Sequence, residues 1–260
     1  MCLLVLAWQA HPRYRLIVAA NRDEFHERPA APLGKWSDAP EILGGRDLKA
    51  GGAWLALDRQ RRFGVVTNFR DLQRSAADAP SRGTLIPAYL AQDLSSAQYL
   101  AALETTAQAY AGFNLLLSDG RELWYACNRG SRFARRLAPG VYGLSNHFLD
   151  TPWPKLARVR GKFEAWLAGA GNAGIEPLLA MLADREPGGP ATDGSDGIPD
   201  PDLQRALSAP FVLDPRYGTR CSTLVLLEPG GAVRVYERRF APDGGTTGET
   251  ELTLNDTEWP

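Results

Sequence analysis

The sequence predicts an α+β protein in which antiparallel sheets carry helices grouped outside them. Apolar, strand-like segments come in pairs joined by short polar turns, as antiparallel neighbours do. The elements run strands, helices, strands, helices, strands, which is not the strand–helix alternation of a doubly wound parallel sheet. No internal repeat of fixed period is visible, so a solenoid is not expected.

Taken in order, CLLVLAWQ and RYRLIVAANRD flank a turn at AHPR and read as a β-hairpin, with Pro12 suited to the turn. The second strand ends in Asn21, Arg22 and Asp23, which the hairpin brings close to residue 2. The proline-bearing stretch HERPAAPLGKWSDAPEILGGRDLKAGG reads as a loop with tight turns at its glycine pairs. AWLALD and RFGVVTN form a second hairpin, ending in the polar Asn68 and Arg70. PSRGTLIPAYLAQDL and SSAQYLAALETTAQAY carry helical spacing, with Ser95 or Ser96 as N-cap of the second.

After Gly112 the pattern returns to strands: FNLLLSD, ELWYACN, RFARRLA and VYGLSN, the last ending at Ser145 and Asn146. Lys155 to Ala168 and Ile175 to Ala183 read as helices, the first amphipathic around Leu156, Phe163 and Trp166. GGPATDGSDGIPDPD is expected to be a flexible loop, taken over 184–202, and not a linker, so 1–260 reads as one domain. TRCSTLVLL and AVRVYERRF close the fold, and TGETELTLND adds an edge strand.

Bulk properties exclude several functions. With 29 basic and 30 acidic residues, the chain has no global field to steer nucleic acid or an anionic membrane. Its three cysteines, Cys2, Cys127 and Cys221, form neither CxxC nor a disulfide framework, which implies a reducing compartment. The first apolar run lacks a basic leader and is broken by Gln9, His11, Pro12 and Arg13. A cytoplasmic protein that is not integral to a membrane is expected. His11, His26 and His147 make no metal-binding spacing, and neither GxSxG nor a P-loop occurs.

The chemistry centres on Cys2. Removal of Met1 would give it a free α-amine, whose pKa of about 8 is matched to that of a thiol. An N-terminal amine acting as base for its own side chain is an established activation scheme. Arg22 would favour the thiolate, and Asp23 would hold the amine. Asn68 and Asn146, each at a strand end, are candidate oxyanion donors. Against this, Arg22 and Asp23 also read as a surface ion pair, and the asparagines as turn formers. Cys127 and Cys221 lie in apolar patterns and read as inert core thiols.

The ordered blocks MCLLVLAW, LIVAANRDEFHERP, ILGGRDLKAGGAWLAL, VVTNFRD, SRGTL, GFNLLL, GLSNHFLDTPWPKL and YGTRCSTLVLL resemble the NRDE family, also called the transport and Golgi organization protein 2 family. Ala53 stands where that family usually has Thr. The resemblance implies an N-terminal-nucleophile (Ntn) hydrolase-like fold, a four-layer αββα sandwich of two antiparallel sheets. It looks like the choloylglycine hydrolase and penicillin acylase branch, whose members begin Met-Cys and cleave non-peptide amides. Carried over by motif, the functional set becomes Cys2, Arg22, Asp23, Asn68, Asn146 and Arg220, although the acylases space the Arg and Asp differently. The implied activity is hydrolysis of carbon–nitrogen bonds other than peptide bonds, or of a thioester, with no cofactor required. The alternative is a non-catalytic carrier of heme or of acyl-lipid or acyl-CoA on the same fold. Either way the partner is a small molecule.

Overall fold

The opening hairpin is present in the computed structural model, which describes residues 2–70, 79–169, 174–189, 200–255 and 257–260. Strand β1 (Cys2–Trp8) pairs with β2 (Leu16–Phe25), Cys2 standing opposite Arg22 and Trp8 opposite Leu16. Chain contacts divide the molecule into two compact units, each with its own sheet and its own helices. Unit 1 comprises Met1–Glu27, Pro139–Ser145 and Leu149–Thr257, and unit 2 comprises Arg28–Ala138, Asn146–Phe148 and Glu258–Pro260.

Unit 1 is built on a six-stranded antiparallel sheet. Besides β1 and β2 it contains β10 (Gly140–Leu144), β11 (Tyr217–Leu227), β12 (Val233–Phe240) and β13 (Thr246–Leu254), in the order β10-β1-β2-β11-β12-β13. Because strand side chains alternate, Leu3, Val5, Ala7, Ile17, Ala19, Leu224 and Leu226 share one face. That face is covered by helices α3 (Pro154–Ala168) and α4 (Glu176–Leu182) through Leu156, Val159, Phe163, Trp166, Leu178 and Leu182. Phe163 is fully buried there, so truncating it to Ala would cost about 3–5 kcal/mol. A Cβ on Gly143 in β10 would come within 2.9 Å of the Leu156 side chain, so the missing side chain lets α3 approach closely. The tail forms edge strand β13, as its alternating pattern predicts.

A short helix, α5 (Pro201–Leu207), lies where the sequence suggested only loop; Asp200 caps it and Pro201 opens it, the composition of a helix start. Of the loop expected over 184–202, residues 190–199 lie outside the described residues.

Unit 2 carries a seven-stranded antiparallel sheet whose strands neighbour one another in sequence order. Its strands are β3 (Ala30–Lys35), β4 (Ile42–Asp47), β5 (Leu55–Asp58), β6 (Phe63–Asn68), β7 (Phe113–Ser118), β8 (Leu123–Cys127) and β9 (Ala134–Leu137). Helices α1 (Leu85–Leu90) and α2 (Ser96–Glu104) pack on it through Leu85, Ile86, Tyr89, Leu100 and Leu103 against Phe113, Leu115 and Leu117. Ser95 is the N-cap of α2, in a reciprocal capping box with Gln98. The stretch read as loop at 26–52 instead contains β3 and β4, and the Gly44–Gly45 pair lies within β4. A Cβ on Gly45 would sit 2.0 Å from the Trp54 ring, so close packing, not a turn, requires that glycine.

Candidate active site

Strand register in unit 1 assembles the first part of the predicted site. Arg22 stands opposite Cys2 on one side and opposite Cys221 on the other, so one buried guanidinium separates two thiols. All three cysteines are free. With two strand spacings of about 4.8 Å between them, Cys2 and Cys221 are too far apart for a disulfide, whose Cα atoms must lie within about 7 Å. Arg22 Nη2 lies 4.0 Å from Glu24, the next residue on its own face of the strand.

Cys2 is half-buried, and Cys221 and Cys127 are buried. Burial pushes the Cys2 thiol above its ordinary range, and the Asp23 carboxylate adds to that rise. The Asp23 backbone N–H and the Arg22 guanidinium act in the opposite direction without overturning it. The sequence reading had Arg22 biasing Cys2 towards thiolate; desolvation outweighs that contribution. At neutral pH the sulfur therefore rests as a thiol, and using it as a nucleophile requires a neighbouring base. Burial pushes Cys221 still higher, consistent with an inert core thiol.

Asp23 is buried, and burial raises its carboxyl above the usual range despite opposition from Lys155, Thr219 and Arg22. Its Oδ1 accepts a 2.7 Å hydrogen bond from Thr219 Oγ1, and its carbonyl accepts one of 2.6 Å from Tyr217. It is thus no surface ion-pair residue.

Arg220 is the extra residue of a β-bulge, the register slipping between Thr219 and Cys221 opposite Asp23 and Arg22. A bulge re-aims its side chain, and here Arg220 Nη1 reaches the carbonyls of Phe25 and His26 at 2.9 and 3.0 Å. Burial and the nearby Arg22 lower its pKa. Beside it, Phe25 is exposed and meets Tyr217 edge-on at 5.1 Å.

Asn68 and Asn146 belong to unit 2, where they meet each other. Asn146 Nδ2 donates to the Asn68 carbonyl at 2.8 Å, and the Asn146 carbonyl accepts from the Arg70 N–H at 2.7 Å. Asn146 has φ +57°, a left-handed conformation that asparagine tolerates better than most residues. The turn-forming reading therefore has direct support at Asn146. Asn68, the exposed last residue of β6, pairs with Phe113.

Among the described residues, no three His, Cys, Asp or Glu side chains come together to hold a metal ion, and no helix is long and apolar enough to cross a membrane.

The sequence profile of the Transport and Golgi organisation 2 family matches residues 1–242. The chain belongs to that family. It is 35% identical to the Transport and Golgi organization protein 2 homolog of Bos taurus over 277 aligned positions, covering 96% of this chain and 97% of the bovine protein. It is 34% identical to the Mus musculus homolog, covering 98% of this chain and 99% of that one. Among solved structures it is similar to the C2A mutant of conjugated bile acid hydrolase from Clostridium perfringens. The TM-score is 0.54 and the identity 9%, with 100% of this chain and 95% of that one covered. At that identity the likeness is one of fold: this family member has the α+β, Ntn hydrolase-like fold of two antiparallel sheets with helices.

Two residues around Asp23 escaped the sequence reading. Thr219 sits in the TRCST block, but its contact with Asp23 depends on a bulge that no local pattern announces. Lys155 did carry a signal, since it shares the apolar stripe of Val159, Phe163 and Trp166 at helical spacing. It is buried, and its Nζ donates to the Leu207 carbonyl at 2.7 Å.

Proposed function

We propose that this protein is a cysteine hydrolase of non-peptide amides or thioesters, with Cys2 as nucleophile after Met1 is removed. One observation carries the reading. Cys2 begins a strand directly opposite Arg22, with the Asp23 N–H on its sulfur, while burial keeps the thiol protonated. A protonated thiol beside its own α-amine, whose pKa is about 8, has its base in place at the moment of attack. The Cys2 sulfur bonds to the substrate carbonyl carbon as the thiol proton moves to the amine. Collapse breaks the carbon–nitrogen bond, or the carbon–sulfur bond of a thioester, and the amine returns the proton to the leaving group. Water then attacks the acyl-cysteine thioester, releasing the acid and restoring the thiol. Asp23 steadies the amine in its cationic form, and Arg22 stabilises negative charge as it develops at sulfur.

The likeness to a bile acid hydrolase supports this reading through fold alone. Intact mass before and after a small thiol-reactive amide mimic tests it, with Cys2→Ala as control. The expected result is loss of Met1 and a single adduct on Cys2, absent in the variant, followed by turnover in a panel of amides and thioesters. Retained Met1 with an unreactive Cys2 would overturn it and favour the carrier reading, tested by titration with heme and acyl-CoA.

A further inference from the structure

We propose that Thr219 is a positioning residue that fixes which oxygen of the Asp23 carboxyl takes up its proton. This rests on the hydrolase reading of the Cys2 site and assigns a residue to its machinery.

Thr219 Oγ1 accepts the Val212 N–H at 2.9 Å and donates to Asp23 Oδ1 at 2.7 Å. A hydroxyl has a single proton. The amide points its hydrogen at the hydroxyl oxygen, so the hydroxyl proton is committed to Asp23. Oδ1 therefore accepts, and any proton that Asp23 takes up goes to Oδ2. The rotor cannot reverse its role cheaply, because Thr219 is buried and Val212 offers a donor at this position.

The backbone around the hydroxyl is fixed as well. The Thr219 N–H returns a 2.9 Å bond to the Val212 carbonyl, and the Pro210 carbonyl is anchored on Asn21 at 2.9 Å. Thr219 is also the residue at which the β11 register slips. One irregularity thus aims the Thr219 hydroxyl at Asp23 on one face and displaces Arg220.

The groups around Asp23 come from four elements. From β1 come the Cys2 thiol and the α-amine that Cys2 would expose; β2 supplies Arg22; α3 supplies Lys155, whose ammonium favours the carboxylate. From β11, Tyr217 bonds the Asp23 carbonyl and Thr219 its carboxylate. Thr219 bonds one particular carboxylate oxygen, Oδ1.

The test follows Asp23 by 13C NMR of aspartate-labelled protein across pH, its carboxyl resonance assigned by its loss in Asp23→Asn. Thr219→Val, which keeps the shape and removes the hydroxyl, is expected to raise proton affinity at Asp23 by roughly tenfold, about one pH unit. Thr219→Ser is expected to restore the wild-type midpoint. Thr219→Ala carries the same expectation as Val if the valine variant does not fold. Alkylation of Cys2 by iodoacetamide gives a second readout. Between the wild-type and variant midpoints, Asp23 is neutral in the variant and no longer raises the thiol pKa. Alkylation of Thr219→Val should therefore be about threefold faster there, and equal to wild type well above it. Coincident midpoints and alkylation profiles in wild type, Val and Ser proteins would overturn the proposal. Absence of turnover on every substrate, with the midpoints still shifted, would count against the hydrolase reading alone.

Discussion

Two buried polar clusters lie two residues apart on the same face of β2, and they differ in kind. At Asn21 every hydrogen bond is made within the protein. Nδ2 donates to the carbonyls of Leu182 and Pro210, both at 2.9 Å, and Oδ1 accepts from Ser222 at 2.6 Å. The cluster is neutral, and it joins the last residue of α4 and the segment before β11 to the sheet. At Asp23 the neighbouring cluster holds an ionisable group against the cost of burial, with Thr219 and Lys155 opposing that cost. A buried amide suffices to fix backbone positions. A buried carboxylate is a costly way to achieve the same end, because desolvating a charge is far more unfavourable than desolvating an amide. Packing accounts for the first cluster; the proposed hydrolase chemistry beside Cys2 would account for the second.

The largest loss of stability belongs to the neutral cluster. Asn21→Leu leaves two buried carbonyls and the Ser222 hydroxyl without their partner, and should cost about 3 kcal/mol or more. The measurement is the denaturant midpoint with the slope unchanged. A loss below about 1 kcal/mol would mean that the surrounding backbone is held by other means. Ser222→Ala removes one donor while leaving both Asn21 donations intact. It should cost about 1 kcal/mol, and neither substitution should alter the pH dependence of Cys2 alkylation. A shift in that dependence would show the two clusters to be coupled.

The opening hairpin and the edge strand β13 of unit 1 were readable because their residues alternate in polarity and the hairpin turn is short. The hairpin placed Asn21, Arg22 and Asp23 near residue 2, and the structure sets Arg22 directly opposite Cys2. What escaped the sequence has local physical causes. Pro29 and Pro32 argued against strands, yet β3 is an edge strand, where a missing N–H can be tolerated. Gly44 and Gly45 looked like turn residues, but a strand passing under Trp54 needs glycine for room. Helix α5 begins with Asp200 and Pro201, residues shared by helix starts and loops. At the site, a sequence names Arg22 as a cation near a thiol but not how strongly burial opposes it. Thr219 was hidden because a bulge brings it onto the face of Asp23, and one extra residue changes the face of everything beyond it.

The smallest expected effect is one of slope, and it separates the clusters most sharply. Burial raises the carboxyl pKa of Asp23 in the folded protein above its ordinary value of 3.8. Folded protein therefore binds this proton more tightly than unfolded chain. By linkage, stability is favoured below the unfolded pKa and declines as pH rises through the folded one, since in that window the folded state holds more protons. Asp23→Asn cannot ionise. Its stability, measured by denaturant titration from pH 3.5 upward, should lack this declining component, whatever constant offset arises from leaving Lys155 without its anionic neighbour. Asn21→Leu should keep the wild-type slope beneath its larger offset. Parallel pH curves for wild type and Asp23→Asn would mean that the carboxylate is not held at a cost. Asp23 would then be one more packing residue, and the contrast with Asn21 would disappear.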